Sequence, residues 1–192
     1  MVRISSGNLK GRKIVASKKI FISTDKNELR PTSSKVREAI FNIVQTAIDH
    51  ALFLDLYAGT GAVGLEALSR GAEKVFFVEN SNIRAKAVMD HIHKLGLDDG
   101  ASVYQEEAEA FLKMAMRTGL KFDIIFADPP YLSGELDKVL PYIGECNILK
   151  DDGRILIEHS SKIALPEKIQ NIKLAKNYRY GDTMITLYRK EE

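Results

Sequence analysis

Leu52-Phe53-Leu54-Asp55-Leu56-Tyr57-Ala58-Gly59-Thr60-Gly61-Ala62-Val63-Gly64 carries an apolar run into a glycine loop, and the loop into a helical pattern through Leu65, Leu68 and Ser69. The run Leu52 to Leu56 predicts a buried strand, because every position but Asp55 is apolar. Glycines placed at the end of such a strand and the start of a helix let backbone N–H groups approach a ligand closely. Strand, glycine loop and helix in that order open a βαβ unit, and ligands of such sheets bind beyond the carboxyl ends of the strands.

The same alternation continues downstream. Val75 to Val78 predicts a second core strand with a helix over Ala85 to Leu95 behind it, and Ser102 to Tyr104 a third, weaker one followed by a helix through Phe111, Leu112 and Ala115. Phe122 to Ala127 reads as a fourth strand, Leu136 to Ile143 as a helix and Arg154 to Ile157 as a fifth strand. Two late runs, Ile172 to Ala175 and Met184 to Tyr188, fit a closing antiparallel hairpin. The expectation is an α/β fold with a Rossmann-like, mostly parallel sheet covered by helices on both faces. Upstream, Val2 to Ser5 and Lys13 to Ala16 flank the turn residues Gly7-Asn8 and Gly11 and predict a small β-hairpin arm. Val36, Ile40, Ile43, Val44 and Ala47 recur at helical spacing after it, with Thr32 or Ser33 as N-cap. Two units are expected, an arm and helix over residues 1–50 and a catalytic domain over 51–192.

Bulk properties exclude several classes. The 192 residues suit one sizeable core, and 45% hydrophobic with 28% charged residues is an ordinary globular composition. No apolar run is long enough to span a bilayer and the first residues lack a secretory h-region, so no membrane contact and a cytoplasmic location are expected. Cys146 is the only cysteine, which rules out an internal disulfide and a cysteine-based zinc cluster. His91 and His93, two apart on a helix, diverge around its axis, and no metal is assigned. Net charge is only +2, but residues 1–50 hold ten Lys or Arg against four Asp or Glu, a surplus of six that the remaining residues offset with a deficit of four. A basic end on a slightly acidic body fits local polyanion binding as well as it fits a solvated surface.

Gly59-x-Gly61-x-x-Gly64 by itself also matches a dinucleotide fingerprint. Asp55 discriminates. A carboxylate just before the glycines repels a pyrophosphate but favours the ammonium of a methionine moiety and tolerates a nearby sulfonium, so the cofactor expected is S-adenosylmethionine rather than NAD. Glu79, at the end of the second strand, is placed to accept ribose hydroxyls, a feature common to both cofactors. Glu107-Ala108 after the third strand offers an acceptor for an adenine amine, or only a charge at a helix start.

Phe122-Asp123-Ile124-Ile125-Phe126-Ala127-Asp128-Pro129-Pro130-Tyr131 carries the catalytic proposal. An exocyclic base amine is a poor nucleophile because its lone pair is delocalised into the ring, so acceptors aimed at its hydrogens are needed. Asp128 and the carbonyl of Pro129 can supply them. Pro129 and Pro130 lack N–H donors and fix φ, and Tyr131 provides a flat face for an unstacked base.

Together the loop and this motif resemble class I methyltransferases, and Asp-Pro-Pro-Tyr is similar to the motif of amino-group methyltransferases of nucleic acids. Ile4 to Gly7, Lys10 to Lys13, Leu29 to Ser33, Arg37 to Asn42, Leu54 to Ala72, Phe77 to Glu79, Phe122 to Tyr131 and Tyr180 to Thr183 resemble the ribosomal RNA small subunit methyltransferase D family over nearly the whole chain. The resemblance implies methylation of guanine N2 in 16S ribosomal RNA, with the RNA or the small subunit as partner and a monomeric enzyme. It implies a cofactor site of Asp55, Tyr57, Ala58, Gly59, Gly61, Glu79, Asn80, Glu107 and Ala108, a catalytic site of Asp128, Pro129, Pro130 and Tyr131, and RNA contacts from Lys10, Arg12, Lys13, Arg30 and Thr32. Glu107 stands where the family usually has aspartate, and Asn80 where a lysine is common. A DNA or RNA adenine-N6 methyltransferase and a non-catalytic RNA-binding module remain open as alternatives.

Overall fold

A computed structural model describes residues 2–14, 32–130, 134–145 and 147–191. Arg30, Tyr131, Cys146 and the end of the second arm strand at Ala16 lie outside the described residues. In chain order the elements are β1 (Val2–Arg3), β2 (Lys13–Ile14), α1 (Ser34–Val44), β3 (Leu52–Asp55), α2 (Ala62–Ser69), β4 (Lys74–Val78), α3 (Asn82–Leu95), β5 (Ala101–Tyr104), α4 (Ala108–Thr118), β6 (Phe122–Ala127), α5 (Glu135–Gly144), β7 (Leu149–Ser160), β8 (Lys168–Ile169), β9 (Ile172–Tyr180) and β10 (Thr183–Lys190).

Eight strands form one sheet in the order β5-β4-β3-β6-β7-β10-β9-β8. The first five are parallel, and β10, β9 and β8 follow antiparallel. The closing hairpin expected from the late apolar runs is present, and its second strand, β10, is the one that joins β7. Strand β7 starts five residues before the expected Arg154, and β8 has too few residues to show a period in the sequence. The order reverses between β3 and β6, and this switch point opens a crevice at the carboxyl edge.

Alternation along each strand sorts the core into two layers. Phe53, Val75, Phe77, Ile124, Phe126, Leu156, Ile185 and Leu187 meet α1, α2 and α3 on one face. Leu54, Leu56, Phe76, Val78, Ile125, Ala127, Ile155, Ile157 and Tyr188 meet α4 and α5 on the other. Helix α1 starts where the Ser33 hydroxyl accepts from the backbone N–H of Val36 at 3.2 Å, one of the two caps expected. Its Val36, Ile40, Phe41 and Val44 lie in the same layer as Ile4 and Ile14 of the arm.

The arm pairs Val2 with Ile14 and Arg3 with Lys13, and its loop docks on α2. Glu66 of α2 is fully buried. One of its oxygens accepts from Ser5 N–H at 2.7 Å, and the other from the Ser5 hydroxyl at 2.7 Å, Ser6 N–H at 3.0 Å and Arg70 Nε at 2.9 Å. Arg37, only 1% exposed, faces Glu66 at 3.5 Å and donates to the Arg3 carbonyl. Gly7 passes so close to α2 that a Cβ there would lie 1.7 Å from the Ser69 carbonyl oxygen. Among the described residues no helix is long and apolar enough to cross a membrane.

Candidate active site

The glycine loop is fixed by the two strands that it separates. Leu56 N–H donates to the Phe126 carbonyl of β6, and Ala58 N–H to the Val78 carbonyl of β4, both at 2.9 Å. Gly59 and Gly61 hold positive φ values of 54° and 74°, which other residues adopt only with strain. At Gly64 a Cβ would stand 2.2 Å from the Phe77 ring, so glycine lets α2 settle onto β4.

Asp55 ends β3, buried, and its carboxylate accepts from Gly64 N–H at 2.9 Å. Burial pushes its pKa up to about 7. The Gly64 N–H opposes this, and the charges of Asp128 and Glu79 add to it. Glu79, just past β4, accepts from Gly59 N–H at 2.9 Å, and its other oxygen from Ser81 N–H at 2.8 Å and Arg84 Nε at 2.9 Å. It therefore ties the loop to the next strand. Asn80 and Glu107, both exposed, meet at 3.2 Å and bridge the ends of β4 and β5. Ala108 is buried at the start of α4, and Tyr57 is half-buried in the loop.

Asp128 follows β6 and is partly exposed, Pro129 is buried and Pro130 exposed. The Thr32 hydroxyl donates to Asp128 at 3.4 Å, so a residue assigned to RNA from the sequence stands at the carboxylate expected to be catalytic. Burial raises the Asp128 pKa well above the ordinary range, the neighbouring charge of Glu158 raises it further, and the Thr32 hydroxyl partly offsets both. Lys10, Arg12 and Lys13 are exposed on the arm, on its loop and second strand.

Sequence reasoning missed Glu158. It closes the apolar run Ile155-Leu156-Ile157 just as Asp128 closes β6, but no glycine or proline follows to mark it. With it, four acids line the carboxyl edge. Asp55 pairs in register with Phe77 of β4 and Phe126 of β6, two residues before Glu79 and Asp128, and Ala127 pairs with Ile157. The spacing sets all four on the α1 to α3 face of the sheet.

An open sheet with a glycine loop at its switch point and acids rather than phosphate-binding groups along its carboxyl edge is a Rossmann-like class I methyltransferase fold. Solved structures agree: the Escherichia coli protein described as "Putative methyltransferase yhhF" superposes with a TM-score of 0.84 at 30% identity, over 99% of this chain and 98% of that one. The chain belongs to the family described as Conserved hypothetical protein 95, which matches residues 2–189. Among its relatives, the Bacillus subtilis (strain 168) protein named "Putative rRNA methyltransferase YlbH" is 36% identical over 98% of this chain and 99% of its own length. Ribosomal RNA small subunit methyltransferase D of Escherichia coli (strain K12) is 31% identical over 99% of this chain and 90% of its own length.

Proposed function

We propose that this protein methylates the exocyclic N2 amine of a guanine in 16S ribosomal RNA of the small subunit, with S-adenosylmethionine as methyl donor. The observation that carries the proposal is the row of buried and half-buried carboxylates across the switch point. Burial and the charges of Asp128 and Glu79 raise the cost of ionising Asp55, and a bound cation relieves it. S-adenosylmethionine fits because it brings two positive centres, an ammonium and a sulfonium. When bound, it supplies an electrophilic methyl carbon.

The chain's own residues then have distinct tasks. Gly59 and Gly61 let the backbone approach the cofactor, Glu79 and Asn80 lie where the ribose is expected, and Glu107 and Ala108 border the adenine side. Tyr57 and Ala58 line the loop. Asp128 and the Pro129 carbonyl accept from the target amine and orient its lone pair, and Asp128 takes the proton that the nitrogen gives up on gaining the methyl group, the sulfonium donor leaving as a neutral thioether. Pro130 and Tyr131 present the base. Thr32 orients Asp128, and Lys10, Arg12, Lys13 and Arg30 hold phosphates. Support for an RNA target comes from the names of the relatives, which are rRNA methyltransferases over nearly the full length of this chain.

The test supplies labelled S-adenosylmethionine and unmodified small subunits, and identifies the product nucleoside by mass spectrometry. N2-methylguanosine is expected. N6-methyladenosine as the main product would overturn the choice of base and leave the fold untouched.

A further inference from the structure

Transfer to an amine needs one carboxylate beside the target nitrogen, and the structure holds two. Glu158, on β7, is 5% exposed. Strands β6 and β7 are parallel with Ala127 opposite Ile157, and one step further brings Asp128 level with Glu158 on strands about 4.8 Å apart. Ile124, Phe126 and Leu156 face the α1 layer, whereas Ile125, Ala127, Ile155 and Ile157 face the opposite one. The alternation therefore directs both carboxylates to the α1 side, where the Thr32 hydroxyl reaches Asp128. The Glu158 charge is also felt at Asp128, second only to burial.

Resting on the guanine-N2 reading above, we propose that Asp128 and Glu158 together form a binding site for the Watson–Crick edge of guanine, Asp128 taking the N2 amine and Glu158 the ring N1–H. Two donors on the ligand favour the ionised form of both acids, and an ionised carboxylate accepts hydrogen bonds and donates none. Guanine is the base whose exocyclic amine lies next to a ring N–H, so its edge presents donors to both acids. Adenine sets its N6 amine beside the lone pair of N1, and cytosine its N4 amine beside the lone pair of N3. Either base would turn an acceptor toward Glu158. Glu158 thus selects by attraction for guanine and by repulsion of the other two amines, while Asp-Pro-Pro-Tyr serves all three alike.

The experiment uses the full chain and reconstituted small subunits whose RNA carries, at the nucleotide mapped by mass spectrometry, either guanine or 2-aminopurine. The analogue keeps the 2-amino group but has a lone pair at N1. Wild-type enzyme is expected to prefer guanine by on the order of 100-fold or more in kcat/KM, since a site built for a donor rejects an analogue that lacks it. Glu158→Gln, whose amide can donate to that lone pair, is expected to lose activity on guanine and bring the ratio to within about threefold, with S-adenosylmethionine affinity retained. Wild-type enzyme that treats both bases alike overturns the proposal without any variant. A Glu158→Gln enzyme that keeps the wild-type ratio at a lower rate makes Glu158 a structural residue only. If wild type forms no N2-methylguanosine on the guanine-bearing subunits, the functional reading itself falls, and the site falls with it.

Discussion

Glu66 beneath the arm and the pair Asp55 and Asp128 at the carboxyl edge are treated in opposite ways. Glu66, beneath the arm, is saturated: two serine N–H groups, one serine hydroxyl and Arg70 donate to it, and Arg37 stands opposite. At the carboxyl edge, among the described residues, one backbone N–H donates to Asp55 and one threonine hydroxyl to Asp128, and each is pushed toward its neutral form by burial and by a neighbouring acid. Donors and cations are concentrated where a charge holds the fold together. Where a ligand is to bring them, negative charge is left in excess.

The largest effect expected from breaking this contrast is on activity. Asp128→Ala should lower kcat by about 10²- to 10⁴-fold, the usual contribution of a positioned proton acceptor, while calorimetry finds S-adenosylmethionine affinity within a few-fold of wild type. Turnover at the wild-type rate would remove Asp128 from the mechanism. Its folding stability should hold or rise, because the variant deletes a charge held near another.

Glu66→Ala is the mirror image. It leaves Arg37 buried without its counter-charge and frees the arm loop, so urea unfolding should show a loss of about 3–5 kcal/mol. A loss below about 1 kcal/mol would mean that the arm docks by its apolar residues alone.

The contrast sharpens with pH. The Asp55 carboxyl ionises at about 7 in the folded chain against an ordinary 3.8, so folding takes up a proton between those values. Its contribution to stability is fully present below the lower value and is lost as pH rises through about 7. A bound sulfonium compensates the charge that appears, and S-adenosylhomocysteine, a neutral thioether, does so less well. The ratio of their affinities is therefore expected to favour S-adenosylmethionine increasingly from pH 6 to pH 8 in isothermal titration. Asp55→Asn should flatten the trend, and a flat wild-type profile would refute the charge argument for the cofactor.

The smallest effect concerns the exposed cations of the arm. Neutralising Lys10, Arg12 and Lys13 together should reduce the slope of log affinity for ribosomal RNA against log salt by up to roughly 0.7 to 0.9 per lost phosphate contact. An unchanged slope would return them to a solvated surface.

Much of the site was legible before the structure. Asp55, Glu79 and Asp128 each follow an apolar run, and at two of them glycine or proline marks the turn. Other parts were not. Thr32 reads as a helix cap or as a contact of the basic arm, and its hydroxyl meets a carboxylate 96 positions away. Ser5 reads as the end of a strand and Gly7-Asn8 as a turn, whereas α2, about sixty residues on, supplies the carboxylate that takes the Ser5 and Ser6 N–H groups.

What the sequence determined by itself is what local periodicity can encode: the order of strands and helices, the faces that they bury, a helix cap at Thr32 or Ser33 and the glycine loop at a strand end. The tertiary structure alone decided that β10 lies beside β7, that Glu66 underlies the arm, and that Glu158 stands level with Asp128. A period of two or 3.6 residues tells each side chain which way to point, whereas the neighbour that it meets there is set by strand order and register. Those come from packing the whole apolar surface at once, and no single segment contains them.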